Sequence, residues 1–105
     1  MYADTYMKYK DAEISEVFST FQSFREECET QINSIKMRKQ ALKADLKSNR
    51  MDNISYQRTL TPLNKQIREL EFRVSTKKYE LVNKYLSEGI SYDTIESYMN
   101  KKNNI

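Results

Sequence analysis

The chain contains no histidine and no tryptophan, and glycine, proline and cysteine occur once each. Without histidine, the usual general base and the commonest metal ligand are missing. A single cysteine, Cys28, precludes an intramolecular disulfide and a zinc cluster of thiolates. Gly89 stands alone, so no glycine-rich loop can cradle a phosphate. So few breakers in 105 residues leave little material for β-turns or long loops. Residues 1–10 are polar and charged where a secretory leader would be apolar, and no run approaches a membrane span. The expectation is one all-α domain, 1–105, that is not an enzyme. It needs no metal or cofactor, takes no small-molecule substrate, avoids membranes, and belongs in the cytoplasm or a host cytoplasm.

What the sequence does contain is a heptad rhythm. Apolar residues recur at gaps of four and three through Ile14, Phe18, Phe21, Cys28, Ile32, Ile35, Leu42 and Leu46. Tyr56, Leu60, Leu63, Ile67, Leu70, Val74 and Leu81 keep the same beat further on. Such spacing puts each set on one helix face and favours packing against a second helix. Between the stripes, KSNRMDNIS has no period. Asn49 can adopt the left-handed conformation that ends a helix, and Asp52 or Ser55 can cap the next one. A connection this short sets its neighbours antiparallel. The pattern predicts a long antiparallel, coiled-coil-like helical hairpin, with helix one over about 5–48, a turn at 49–54 and helix two over 55–87. Pro62, with Thr61 as cap, is an alternative start for helix two. Gly89 reads as a helix stop, and Ser91 with Asp93 as the start of a short third helix over about 91–101, packed at the open end of the hairpin.

Charge is unevenly spread. Between Lys36 and Arg73 lie ten basic residues and four acids, whereas residues 1–35 hold three basic and seven acidic ones. Lys36, Lys43 and Arg50 repeat every seven residues, as do Arg58 and Lys65 on helix two, with Arg68 beside them. With Lys39 and Lys47 these eight form a candidate surface for nucleic acid, neutralising phosphates by counterion release. An acidic protein surface suits them equally. The bland alternative is a solvated coiled-coil flank, with Lys36 reaching Glu71 and with Lys65 and Arg73 flanking Glu69. Arg25, Lys39 and Lys77 interrupt the apolar stripes and are expected to set register while their charged ends reach the edge.

A second apolar stripe, Phe72, Tyr79, Val82 and Leu86, appears on helix two, and Phe24 widens the stripe on helix one. A helix apolar on two faces must be covered on two faces. These five residues are therefore the expected interface for the third helix or for a second subunit, and a homodimer through the aromatic base is the expected assembly. The segment EGISYDTIESYM has the spacing of a helix-turn-helix, but Tyr85 stands where a small residue belongs, and Asp93 and Glu96 would repel phosphate. The functional expectation is a small binding protein, either nucleic-acid-associated or a regulator of nucleic-acid machinery. The alternative is a protein adaptor, assembly factor or inhibitor that docks through helix faces at the base. The Lys-, Asn-, Ile- and Tyr-rich composition suits an AT-rich genome and suggests a phage or mobile-element source.

Overall fold

A computed structural model describes the backbone of residues 2–100 and the side chains from Lys10 to Asn100. Three helices follow in order, α1 (Tyr2–Lys47), α2 (Asn53–Ser87) and α3 (Tyr92–Asn100), and the described residues contain no strand. The fold is all-α. α1 and α2 form an antiparallel hairpin, and α3 folds back against the first part of α1 and the last part of α2.

The termini follow the local chemistry of the chain. α1 starts at Tyr2, ahead of the expected residue 5, and stops at Lys47. Asn49 takes φ 60°, its N–H donates to Leu46 at 3.2 Å, and the Arg50 N–H donates to Asp45 at 2.9 Å. That pair of bonds is a Schellman motif, with Asn in the left-handed position that glycine usually takes. α2 starts at Asn53, capped by Asp52, whose Oδ1 accepts the Ser55 N–H at 2.7 Å. Neither Ser55 nor Pro62 opens the helix. Pro62 lies well inside α2, where it deprives the Arg58 carbonyl of its intrahelical donor. Because Pro62 is exposed, water can take that place. At the far end of α2 the Gly89 N–H bonds to Leu86 and the Ile90 N–H to Tyr85, both at 3.0 Å, with Gly89 at φ 88°. This second Schellman motif leads straight into α3. Ser91 Oγ accepts the Thr94 N–H at 3.3 Å as its cap, and Asp93 sits in its first turn. Residue 101, the expected end of the third helix, lies outside the described residues.

The described chain divides into two compact units. The turn unit, residues 26–75, packs one stripe of α1 against one stripe of α2. Cys28, Ile32, Ile35, Leu63, Ile67 and Leu70 are buried there, while Leu42, Leu46, Tyr56 and Leu60 are only half-buried. Among the described residues nothing else covers these two helices, so each leaves most of its circumference exposed. The three-helix unit, residues 2–25 with 76–100, has a denser core. Phe18, Tyr85 and Ile95 are its largest fully buried side chains. Phe18 meets Tyr85 at 5.9 Å between ring centroids and stacks on Tyr98 at 6.4 Å. α3 is held by Ile95 and Met99 and by two polar ties. Gln22 Nε2 donates to the Met99 carbonyl at 2.9 Å, which satisfies an acceptor left over at the helix end, and the Tyr98 hydroxyl bonds Asp11.

Candidate functional site

Most of the cations are on the turn unit, and their arrangement follows from helix geometry. At about 100° per residue, Lys36, Lys43 and Lys47 fall within about 40° of one another on α1. On α2, Arg58, Lys65 and Arg68 fall within about 80° of one another, on the side turned away from Leu63, Ile67 and Leu70. The eight candidates are therefore not one patch. They form a flank of α1 and an outer face of α2. Arg50 belongs to neither, because α1 ends at Lys47 and Arg50 lies in the turn. The seven-residue column expected through Lys36, Lys43 and Arg50 loses its third member, and Lys47 takes its place. Lys39 is half-buried at the edge of the core stripe, and the other seven are exposed.

None of the eight makes an ion pair among the described residues. Salt bridges join Lys10 to Glu13 at 3.5 Å and Lys10 to Glu88 at 2.8 Å, both in the three-helix unit. Lys36 does not pair with Glu71, nor do Lys65 and Arg73 pair with Glu69. The solvated-flank arrangement expected as the bland alternative is absent in the form proposed for it. Seven cations thus stand in water without a neutralising carboxylate.

Compared with protein-family models, with curated proteins and with solved structures, the chain matches none of them.

Titratable groups elsewhere serve structure. The Ser55 backbone N–H, and after it the Ser55 hydroxyl, hold the Asp52 carboxyl below its usual 3.8. Burial pushes the Tyr85 phenol above its usual 10.0, with the nearby charges of Lys84, Glu13, Glu88 and Lys10 adding smaller effects of both signs. Among the described residues no group of three or more acids or cysteines could hold a metal ion, and no helix is long and apolar enough to cross a membrane.

The second set of candidate residues meets a different fate from the expected one. α3 does not cover the second stripe of α2. Tyr79 is 69% exposed and Leu86 42%, while Val82 and Phe24 are half-buried; Phe72, in the turn unit, is 70% exposed. α3 instead lies over Phe18, Gln22 and Arg25 of α1 and Lys78 of α2, where a cavity of about 90 Å³ remains beneath Tyr92 and Met99. A larger groove of about 530 Å³ lies between α1 and α2, lined by Val17, Thr20, Phe21, Phe24, Lys77 and Leu81 and by no residue of α3. The widening of the α1 stripe at Phe24 was the sequence signal for this groove. Gln22, a polar residue on the core edge, gave no such signal. Its burial depends on a carbonyl 77 positions along the chain.

Proposed function

We propose that the chain is a non-enzymatic binding protein whose turn unit contacts the phosphate backbone of nucleic acid. The observation that carries this reading is the set of six exposed cations without ion-pair partners on two stiff helix faces, Lys36, Lys43 and Lys47 on α1 and Arg58, Lys65 and Arg68 on α2, with exposed Arg50 in the turn between the helices. Cations already paired to carboxylates would lose those pairs on meeting phosphate, which offsets the gain. Here that loss does not arise. Lys36 to Lys47 span roughly 16 Å along α1, a length over which a duplex strand presents several phosphates. Contacts of this type position a protein without reading bases. Phe72, 70% exposed, falls within about 40° of Arg58, Lys65 and Arg68 on α2, while Tyr56 is half-buried on the core side. One exposed ring offers a single stacking contact, short of the row of aromatics that tracks single-stranded bases. The recognised feature is then a charged duplex or a folded RNA backbone.

The test is a fluorescence anisotropy titration against labelled duplex DNA and duplex RNA, at low and at near-physiological salt. Three phosphate contacts from one face give a slope of log K against log salt of roughly −3. Triple charge reversal of Lys36, Lys43 and Lys47, and separately of Arg58, Lys65 and Arg68, assigns the face. One triple should abolish binding and the other should weaken it only modestly. Absence of binding at low salt, where the electrostatic term is largest, rejects the reading.

A further inference from the structure

The three-helix unit presents two grooves along its helix pair. Phe18, Gln22 and Arg25 border one and Val17, Thr20 and Phe24 the other, on either side of Phe21, which touches both. The chain fills the first with α3, using Ile95 and Met99. The second stays open, floored by Val17, Phe21, Phe24 and Leu81. An apolar groove flanked by two helices has the shape of a site for another helix.

We infer that this open groove is the contact between two copies of the chain, related by a two-fold axis along the groove, so that α1 of each copy lies over α2 of its partner. The argument for a second copy is the charge on the two walls. The α1 wall carries Glu16 beside Thr20. Of the nearby cations on that helix, Lys10 is already bonded to Glu13 and Glu88, and Arg25 lies over the Phe21 ring and borders the groove that α3 fills. The α2 wall carries Lys77. One heptad further on, beyond the groove lining, Lys84 lies on the same side with its ammonium over the Tyr85 ring. Of the acids there, Glu88 is already paired to Lys10, which leaves Glu80 against the two lysines. Contact between Phe18 and Tyr85 sets Lys84 nearly level with Glu16 along the pair. A two-fold axis parallel to the helices exchanges the walls. The acidic wall of one copy then faces the basic wall of the other, twice over. Isologous contacts require such self-complementarity. The alternative two-fold axis, across the helices, lays α1 over α1 and sets like-charged walls together, which is unfavourable. The apolar floors of the two grooves meet in the middle and make a four-helix arrangement of the usual antiparallel kind.

Sedimentation equilibrium of the full chain from about 5 to 200 μM tests this. A mass of twice 12.6 kDa, with dissociation promoted by salt, is expected. Val17→Glu with Phe24→Glu should sediment at 12.6 kDa with unchanged far-ultraviolet circular dichroism. A charge-swap pair keeps the test sharp if that variant does not fold. Glu16→Lys makes both walls basic, and Lys77→Glu with Lys84→Glu makes both acidic. Each alone should weaken association at least tenfold, and an equimolar mixture should restore it. A monomeric wild type at 200 μM overturns the inference. So does a swap variant that dimerises as tightly as wild type, or a mixture that stays monomeric.

Discussion

Replacing Tyr85 by phenylalanine should make the protein more stable, although Tyr85 is the most deeply buried aromatic residue. Its exposure is 0%, its ring packs on Phe18, and its hydroxyl has no hydrogen-bond partner among the described residues. Leaving a buried polar group unsatisfied costs about 1–3 kcal/mol, because water bonded it in the unfolded chain. Tyr85→Phe keeps the ring and removes that cost, at the expense of a void about one oxygen atom in size. The net gain should be about 1 kcal/mol, which raises Tm by roughly 4–8 °C in a domain of this size. Tyr85→Ala should lose about 3–5 kcal/mol, since it deletes the ring around which α1, α2 and α3 pack. pH gives a second signature. Burial raises the folded-state phenol above 10.0, so the neutral form is favoured by folding. Stability is whole below the unfolded value near 10 and is lost as pH rises through the higher folded value. The phenylalanine variant lacks this loss, so its advantage should widen between pH 9 and pH 11. Urea denaturation followed by circular dichroism at 222 nm, at pH 7 and at pH 10.5, measures both. A variant less stable than wild type by 1 kcal/mol at pH 7 would show that the hydroxyl is bonded in solution and refute the reasoning.

Three further substitutions check separate parts of the fold. Pro62→Ala should stabilise α2 by about 1–3 kcal/mol, because Pro62 is exposed and interior to the helix, where it removes a backbone bond; no gain in thermal stability would show that the unfolded chain benefits from it as much. Asp52→Ala should lower Tm at neutral pH by removing the cap bond to Ser55. Since the folded carboxyl lies below 3.8, the stabilisation is present above that value and fades as pH falls through the lower folded value; the gap between wild type and variant should therefore hold from pH 5 to pH 7 and close in acid. Ile95→Ala should cost about 2–5 kcal/mol and release α3, seen as loss of amide hydrogen-exchange protection confined first to residues 92–100. Equal loss of protection across residues 26–75 would contradict the division into two units.

The sequence by itself determined the class of the fold and the places where it turns. Heptad spacing fixed which side of α1 and α2 faces a partner, because successive residues on a helix cannot choose their angle. Asn49, Asp52, Gly89 and Ser91 marked the helix ends through local backbone chemistry, which acts without tertiary context. Pro62 was harder to read: a lone proline signals either a first turn or a fault inside a helix, and the cap at Asp52 favoured the second. Tertiary structure decided which of the two grooves beside the hairpin α3 fills. The stripe through Tyr79 and Leu86 looked like its seat. However, the Schellman turn at Gly89 and the bond from Gln22 to Met99 place α3 over Phe18, on which Tyr98 stacks. Tertiary structure also decided that the basic residues stand unpaired. Whether Lys36 reaches Glu71 depends on the offset between two helices, and helical periodicity fixes angle around an axis but not displacement along it.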